Sequence, residues 1–338
     1  MKTIRTQDAL GTVLCHDITK IVPGEFKGPA FHKGHIVTEE DIPVLLSLGK
    51  DHLYVWELQD GFVHENDAAL RLAKAVGGGG LAMTEPEEGK VNLLAEQDGL
   101  LLIDEERLLR LNLLGEVAVA TRSQERTVKK GDIVAGIRVI PLVFAEEKMQ
   151  EAEAIAAETD VISVLPFQPC KVGIITTGNE VYYGRIADRF GPVVKEKVEV
   201  FGCTVVRQAL VPDSAEEIAQ AVQSLLAEGC QLILTTGGMS VDPDDVTPAG
   251  IRLAGARIVS YGAPVLPGSV FLMAYMGVVP VLGLPGCVMY NSTTIFDLVL
   301  PLVLAGREVT RERIARWGVG GLCLNCESCH FPDCSFGT

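Results

Sequence analysis

The stretch QLILTTGGMSVDPDDVTP (231–248) decides the fold of this chain. It reads as a short buried strand, a turn with two adjacent glycines and the start of a helix. Similar strand–turn units lie on both sides, with KVGIITTG (171–178) before it and VVPVLGLPG (278–286) after it. Strands that alternate with helices are typical of a mostly parallel sheet that is covered by helices on both faces.

The same alternation extends through the second half of the chain. Further strands are predicted at 204–211 and 256–260, and helices at 191–202, 215–228, 247–254 and 287–305. The apolar stretch 269–290 is interrupted by glycine and proline, which predicts two buried strands and a turn, not a membrane span. We therefore expect a three-layer α/β domain, preceded by an elongated region of mixed α and β structure.

Three predicted strands end in glycine-bearing loops, which are TTGNE (176–180), TTGGMS (235–240) and GLPGC (283–287). Parallel sheets bind ligands at the carboxyl ends of their strands. Glycine there lets a ligand approach main-chain N–H groups, and a following helix adds partial positive charge, which suits phosphate. No loop has the Gly-Lys-Ser/Thr or GxGxxG pattern, which disfavours a P-loop ATPase and a dinucleotide dehydrogenase.

Acidic residues accompany these loops, namely Glu180, Asp213, Asp242, Asp244 and Asp245. Carboxylates repel a phosphate unless a divalent metal ion intervenes, and oxygen ligands of this kind suit Mg²⁺. The alternative is that the acids at 242–245 only favour the start of the following helix. The TGG sequence directly upstream favours the functional interpretation.

The chain resembles the molybdopterin-binding domain on five motifs, which are TTGNE, VPDSAEEI (211–218), TTGGMSVDPDDVTP (235–248), PGS (267–269) and GLPG (283–286). That domain is shared by molybdenum-cofactor adenylyltransferases and molybdenum insertases, which are molybdopterin molybdenumtransferases. The N-terminal half is similar to the insertase in ALGTVLCHDI (9–18), FHKGHIVTEEDIPVLLSLGKDHLYV (31–55) and KKGDIVAGIRVIP (129–141). The organisation that follows is an insertase-like region (1–165), a molybdopterin-binding domain (166–308) and a cysteine-rich tail (309–338).

The resemblance implies a role for each matching position. It implies Glu180 and Asp245 as catalytic residues and as ligands of Mg²⁺. The positions implied to hold the pterin are Thr177, Gly178, Asp213, Thr236, Gly237, Gly238, Ser240, Pro267, Gly268, Ser269, Gly283, Pro285 and Gly286. The implied reaction inserts molybdate into the dithiolene of molybdopterin or of its adenylylated form.

Three positions depart from the family pattern. Asp242 stands where glycine is usual, Ser269 where lysine is usual, and Cys287 begins a pair that replaces Asn-Pro. An added acid and a missing cation favour a second hypothesis, a non-catalytic carrier or sensor of the cofactor that serves a molybdoenzyme. A third hypothesis, molybdopterin adenylyltransferase, is favoured by the run from Asp245 to Pro248, but the long N-terminal half argues against it.

Four cysteines, Cys323, Cys326, Cys329 and Cys334, form a C-x2-C-x2-C-x4-C pattern near the end of the sequence. Thiolates at such spacing hold one metal centre. The spacing is close to that of bacterial ferredoxins, which favours an iron–sulfur cluster slightly over zinc. The alternative is a reduced, disordered tail.

Composition limits the classes of partner. The 338 residues include 29 Lys and Arg against 44 Asp and Glu, a formal net charge of −15, which argues against a nucleic-acid binder. The N-terminus lacks the apolar core of a signal peptide, so we expect a cytoplasmic protein with no membrane partner and reduced thiols. The five cysteines outside the tail are expected to be buried. A homodimer is implied by the resemblance alone.

Overall fold

The computed structural model describes residues 2–22, 25–55, 61–240 and 245–338 of the chain. Its strands, numbered in chain order, are β1 (Lys2–Arg5), β2 (Ile18–Val22), β3 (Phe26–Phe31), β4 (His52–Val55), β5 (Phe62–His64), β6 (Leu81–Met83), β7 (Lys90–Ala95), β8 (Gly99–Ile103), β9 (Val117–Thr121), β10 (Thr127–Val128), β11 (Ile133–Val139), β12 (Val143–Ala145), β13 (Ile162–Pro166), β14 (Lys171–Thr177), β15 (Thr204–Val211), β16 (Leu232–Thr236), β17 (Arg257–Tyr261), β18 (Leu272–Met276) and β19 (Val279–Leu284). Its α-helices are α1 (Asp41–Ser47), α2 (Glu65–Val76), α3 (Glu105–Leu113), α4 (Glu146–Ala156), α5 (Asn179–Tyr182), α6 (Phe190–Glu199), α7 (Ala215–Ala227), α8 (Thr247–Leu253), α9 (Ile295–Leu304) and α10 (Arg311–Arg316). Short 3₁₀ helices cover Thr6–Asp8 and Gly286–Met289.

The chain divides into two units. The first contains Met1–Gln97, Leu102–Arg122 and Lys130–Val164, and the second contains Asp98–Leu101, Ser123–Lys129 and Leu165–Thr338. The residues after 308 therefore lie inside the second unit. The predicted division into 1–165, 166–308 and 309–338 stays a prediction. In the structure the tail, 309–338, is in the same unit as the α/β domain.

The first unit combines small antiparallel sheets with helices. Its four-stranded sheet has the order β6-β7-β11-β9, and the pairs β1·β4, β2·β3 and β5·β12 are also antiparallel. Helix α2 packs on β7 and β11 and against α4. Arg71 on α2 joins the two helices, because its guanidinium donates to Glu146 and Glu153 on α4 at 2.8 Å. This mixed α+β structure agrees with the prediction for the N-terminal half.

The second unit is built on a six-stranded sheet with the order β15-β14-β16-β19-β18-β17. Four strands, β15, β14, β16 and β19, run parallel to one another. Strand β18 is antiparallel to both of its neighbours, β19 and β17. The predicted α/β domain with a mostly parallel sheet is confirmed. The two antiparallel strands follow each other closely in sequence, so a short connection joins them without a crossover helix.

Helices cover both faces of this sheet. On one face, Gly173 of β14 lies against α7, where an added Cβ would come within 2.7 Å of Leu225. On the other face, Gln208 of β15 donates to Thr176 of β14 at 2.9 Å and lies against Gly191 of α6. Residues 173 and 176 point to opposite faces of their strand. The three-layer arrangement follows from these contacts.

The prediction of one helix over 287–305 is wrong at its start. The chain first forms a 3₁₀ turn at Gly286–Met289, and the helix begins only after Thr294. Thr294 is the N-cap residue, since its hydroxyl accepts from the Phe296 N–H, and Asp297 bonds back to the Thr294 N–H at 2.7 Å. Such a capping box sets the first residue of a helix more strongly than apolar composition does.

The apolar stretch 269–290 forms β18, β19 and the turn between them, as predicted. Strand β18 is buried from Leu272 to Ala274, and β19 is buried from Pro280 onward. Within the ranges that the structure describes, no helix combines the length and the apolar character needed to cross a lipid bilayer.

Candidate functional site

The carboxyl ends of the four parallel strands meet at one edge of the sheet. Thr177 at the end of β14 is in register with Val211 at the end of β15. Thr236 at the end of β16 is in register with Thr176 on one side and Leu284 on the other. The loops that follow the strands therefore lie side by side, at 178–180, 212–214, 237–240 and 285–287. The structure brings together the predicted loops at the edge where such sheets bind ligands.

The loop after β16 depends on its two glycines. Gly237 and Gly238 have φ angles of 85° and 56°, which lie in the left-handed region. A Cβ on Gly237 would clash with the carbonyl oxygen of Thr177, and one on Gly238 would lie 2.6 Å from the Thr247 hydroxyl. Only glycine therefore lets this loop approach the neighbouring strand so closely.

Buried threonines connect the loop to its neighbours. The Thr177 hydroxyl is 3.2 Å from both the Thr236 carbonyl and the Thr247 hydroxyl, and Thr247 donates to the Gly237 carbonyl at 2.9 Å. The Thr236 hydroxyl bonds to that of Thr176 at 3.2 Å. Thr236 and Thr247 are fully buried, and Thr177 is 3% exposed. These hydroxyls have protein partners that hold the loop in shape, so a ligand role for Thr177 and Thr236 stays a prediction.

The first loop is tied to the loop after β15. Asn179 donates its N–H to the Asp213 carboxylate at 2.9 Å, and its side-chain oxygen accepts from the Asp213 N–H at 3.4 Å. Gly178, with a φ angle of 136°, makes the turn that precedes this contact. Asp213 therefore positions the first loop. Glu180 is exposed to solvent at the same edge.

The acids of the TGG loop are only partly described. Asp242 and Asp244 lie outside the described residues, whereas Asp245 is half-buried and directly precedes Val246, the N-cap residue of helix α8. Among the described residues, no three His, Cys, Asp or Glu side chains are grouped closely enough to hold a metal ion. The magnesium site at Glu180 and Asp245 stays a prediction.

The PGS and GLPG segments border the same region. Gly268 has a φ angle of 132°, and a Cβ there would lie 2.5 Å from Ile295 at the start of α9. Ser269 is exposed, and no lysine stands there. In the second segment, Gly283 packs against Met239 of the TGG loop, and a Cβ there would lie 2.6 Å from the methionine methyl group. Pro267 is partly buried, Pro285 is buried and Gly286 is exposed.

Tyr261 is a site residue that the sequence does not predict. It lies at the end of β17, and its hydroxyl is 2.9 Å from the Met239 carbonyl and 3.3 Å from the Ser240 carbonyl. The tyrosine therefore holds the exposed Ser240 end of the TGG loop. No local motif indicates this contact, because helix α8 and most of strand β17 lie between the partners in sequence.

The four tail cysteines line one open cavity of about 190 Å³. Its lining includes Cys323, Cys326, Cys329 and Cys334, together with His330 and the segment 290–293 that follows the GLPG loop. The Cys329 sulfur is 3.3 Å from the Thr293 hydroxyl. The four predicted ligands line the same cavity, but among the described residues their sulfurs are not grouped closely enough for one metal ion, so the metal centre stays a prediction.

Backbone hydrogen bonds join this tail to the PGS segment. Leu266 donates its N–H to the Gly321 carbonyl and accepts from the Cys323 N–H, both at 2.8 Å. Leu266 directly precedes Pro267, the first residue of that segment. The tail therefore contacts the residue directly before the PGS segment, Leu266, and a residue seven positions after the GLPG segment, Thr293.

The other five cysteines are less uniformly buried than expected. Cys15, Cys203 and Cys230 are buried, but Cys170 and Cys287 are partly exposed. The sulfurs of Cys170 and Cys203 are 3.8 Å apart, and all nine thiols of the chain are free. The hydrogen bond to Cys203 and burial both raise the pKa of Cys170.

Comparisons with known proteins agree with the geometry of the strand-end loops. Residues 173–305 match a family described as "probable molybdopterin binding domain", and residues 3–57 match a domain family of unknown function, DUF8806. The chain is 29% identical over 205 residues to a molybdopterin molybdenumtransferase of Synechococcus elongatus, covering 56% of this chain and 48% of that protein. It is 28% identical over 185 residues to the molybdopterin molybdenumtransferase of Haemophilus influenzae, covering 52% of this chain and 43% of that protein. The chain thus spans about half the length of the curated relatives it matches.

The chain is also similar to solved structures over part of its length. The molybdopterin biosynthesis enzyme MoaB from Thermus thermophilus is 24% identical and covers 41% of this chain and 98% of its own, with a TM-score of 0.34.

Proposed function

We propose that the protein acts in molybdenum cofactor biosynthesis, because residues 173–305 match the family described as "probable molybdopterin binding domain". It binds molybdopterin or its adenylylated form at the strand-end loops and inserts molybdate into the dithiolene. The observation that carries this proposal is the alignment of four parallel strand ends, which places the TTGNE, PDS, TTGGMS and GLPG loops side by side. Because three of these loops contain glycine, a phosphate can approach their backbone.

Each loop has a part in this reaction. The TGG loop holds the phosphate of the pterin, and the Gly268 and Gly283 segments line its pocket. Glu180 and Asp245 would hold Mg²⁺, a cation that proteins commonly bind through one or two carboxylates. Two acids are therefore compatible with this role, although the described acids form no group of three. When bound, Mg²⁺ would neutralise negative charge, and the loops orient the pterin and molybdate toward each other.

The test is an insertion assay with the purified full chain. Adenylylated molybdopterin, Mg²⁺ and molybdate are supplied, and the product is measured by its ability to activate a cofactor-free molybdoenzyme. We expect active cofactor from the wild type and a loss of roughly 10²-fold or more in E180Q and D245N. E312Q, an exposed acid on α10, is the matched control. Wild-type protein that yields no active cofactor refutes insertion.

A non-catalytic carrier of the cofactor is the second candidate. The observation that favours it is the exposed serine at position 269, where the insertase pattern has a phosphate-binding lysine. A carrier binds the metallated pterin tightly but turns nothing over. Calorimetry with molybdopterin and with mature cofactor separates the two candidates, since binding without insertion supports the carrier, and S269K then tests whether the missing cation limits activity.

The tail is proposed to hold a metal centre, either zinc or an iron–sulfur cluster. The observation that supports it is the single cavity that Cys323, Cys326, Cys329 and Cys334 line together. Zinc would be structural, whereas an iron–sulfur cluster would supply electron transfer. Anaerobic purification with elemental analysis and an absorption spectrum distinguishes zinc, iron with sulfide and no metal.

The proposal includes a cytoplasmic location, where thiols stay reduced. It also includes a homodimer and a molybdoenzyme as the recipient of the cofactor. Analytical ultracentrifugation tests the first of these partners, and co-purification with a tagged molybdoenzyme tests the second.

A further inference from the structure

Arg126 is a buried arginine that contacts the cysteine tail. Its side chain is 6% exposed, although arginine is one of the residues most rarely buried. Nη1 donates to the Phe336 carbonyl and Nη2 to the Cys334 carbonyl, both at 2.7 Å. The guanidinium carbon also lies 5.9 Å from the centre of the Phe331 ring. These contacts attach the segment around Arg126 to the end of the tail.

The charge of Arg126 is not compensated in the way that a buried charge normally is. Arg107 is equally buried at 7% exposed, but it forms an ion pair with Asp104 at 2.9 Å. Within the part of the chain that the structure describes, the contacts of Arg126 are carbonyl oxygens and an aromatic ring, with no carboxylate at ion-pair distance. A buried charge is costly unless an opposite charge accompanies it.

The acidic groups that act on the pKa of Arg126 belong to the tail. Burial lowers the pKa of Arg126, and Cys334 and then Asp333 oppose that effect. Cys334 is also one of the four cysteines that line the tail cavity. A centre with four thiolates is anionic whether it contains Zn²⁺ or an iron–sulfur cluster, because the four thiolate charges exceed the net positive charge of Zn²⁺ or of the iron–sulfide core. Arg126 contacts three residues that also line the cavity, Phe331, Cys334 and Phe336, and the cysteines in that lining become anionic when a metal is bound.

We propose that Arg126 is the positioning residue of a metal–thiolate centre in the tail. Its guanidinium compensates the negative charge of the centre, and its bond to the Cys334 carbonyl sets the position of the last ligand. This inference rests on the proposed metal site and adds to it the residue that makes the site electrostatically favourable. The roles need a planar fork with two donors and a permanent charge, which arginine supplies and lysine supplies only in part.

The experiment compares the wild type with R126Q, R126K and the matched control R107Q. Each full-length protein is purified anaerobically, and metal affinity is measured by competition with a chelator, using Zn²⁺ alone and then iron with sulfide. Partners outside the first ligand shell typically contribute roughly 10–100-fold to metal affinity. We expect R126Q to lose about that factor, R126K to recover most of it, and R107Q to match the wild type.

An iron–sulfur centre provides a readout that a purely structural role would not change. A nearby cation stabilises the reduced, more negative form, so R126Q lowers the midpoint potential while R126K leaves it near the wild-type value. With zinc, the affinity comparison is the readout. Circular dichroism checks that each variant is folded. If R126Q does not fold, R126K is the deciding variant, because it keeps the positive charge. The proposal is overturned if R126K loses as much metal affinity as C334S, which removes the last cysteine ligand.

The outcomes separate this inference from the functions it rests on. Wild-type protein that binds neither metal refutes the metal centre and with it the role of Arg126. Wild-type protein that binds metal, with R126Q equal to it in affinity and potential, refutes only the role of Arg126. An equal loss in R107Q shows a general effect of removing a buried arginine and also overturns the proposal. Pterin binding is measured separately, and its failure leaves the result for the tail unchanged.

Discussion

Gly237 shows how one residue shapes the candidate site. Its φ angle of 85° is unfavourable for any side chain, and an added Cβ would clash with the Thr177 carbonyl. Conformation and contact therefore both require glycine. The Thr177 and Thr247 hydroxyls bond to backbone carbonyls of the TGG loop. The loop is therefore ordered before a ligand binds, and little binding energy is needed to order it.

Replacement of Gly237 by alanine separates conformation from contact. We expect G237A to lower the free energy of unfolding by about 2–4 kcal/mol and to weaken pterin binding. The control is G184A, because Gly184 has a φ angle of 68° but no atom within 4 Å of an added Cβ. Urea denaturation and calorimetry measure both effects. Equal losses in the two variants would show that the contact with Thr177 contributes nothing.

Tyr261 makes a second test at the residue scale. Y261F removes the hydroxyl that bonds to the Met239 and Ser240 carbonyls, so we expect about 0.5–1.5 kcal/mol lower stability and weaker pterin binding. Y275F is the matched control, since the Tyr275 hydroxyl accepts from the Val309 N–H. Unchanged pterin affinity in Y261F would remove Tyr261 from the site.

Helix α2 and the glycines at 77–80 show which features of an element come from local sequence and which from tertiary contacts. The helix has the bounds Glu65–Val76 that its apolar pattern and the glycines predict. Composition alone predicts a hinge or loop for the run 77–80. In the structure the Gly78 N–H bonds to the Ile162 carbonyl at 2.8 Å, and an added Cβ on Gly78 would clash with Asp160. The glycines are needed because another segment passes close to them, which composition does not reveal.

The start of α2 carries a pH-dependent element. Burial raises the pKa of Glu65 to about 7, and the charges around it are Arg138 and Lys33, which lower it, and Glu88 and Asp17, which raise it. The folded chain therefore keeps a proton that the unfolded chain releases near pH 4.5. Stability contributed by this residue falls as pH rises from about 4.5 to 7.

Replacement of Glu65 by glutamine removes this dependence. We expect E65Q to be more stable than the wild type above pH 7. We also expect its free energy of unfolding not to fall between about pH 4.5 and 7, as measured by urea denaturation across that range. The control is E105Q, which changes the first residue of α3 in the same way. If the free energy of unfolding of E65Q depends on pH as that of the wild type does, the decline belongs to another titratable group.

At the scale of the second unit, the tail is part of the packed structure. Phe336 is 2% exposed, and the tail is hydrogen-bonded to Leu266 and Arg126. Arg313 on α10 also pairs with Glu125, next to Arg126 in sequence. The tail is therefore hydrogen-bonded directly beside the predicted PGS ligand segment. If a metal in the tail changes the affinity of a pterin at that segment, the pterin changes the metal affinity by the same factor.

The connection between the tail and the PGS segment predicts that removal of the proposed tail metal weakens binding of the proposed pterin ligand. We expect a roughly 5-fold or larger loss of pterin affinity in metal-depleted protein and in C329S, since coupling energies of this kind are typically about 1–3 kcal/mol. C170S is the control, because Cys170 lies at the opposite end of β14 from the ligand loops. Calorimetry on loaded and depleted protein decides, and equal affinities would mean that the two sites are independent.

Much of the secondary structure in both units is predictable from local signals. Strand β15 and helix α2 have their predicted bounds, since alternation, glycines and caps act within a few residues. The late start of α9 is not predictable from apolar composition, because the capping residue Thr294 lies inside a stretch that is otherwise favourable for a helix. The gathering of glycine loops at one edge is predictable, since parallel strands all end at the same side.

The sequence by itself determined the order of elements, the parallel sheet and the four-cysteine pattern, because each depends on residue type and spacing along the chain. Only the tertiary structure decided that Tyr261 holds the TGG loop, that Arg126 is buried against Cys334, and that the tail packs beside the PGS segment. These contacts join residues that are far apart in sequence, and their energies depend on burial and on partners that no local pattern specifies.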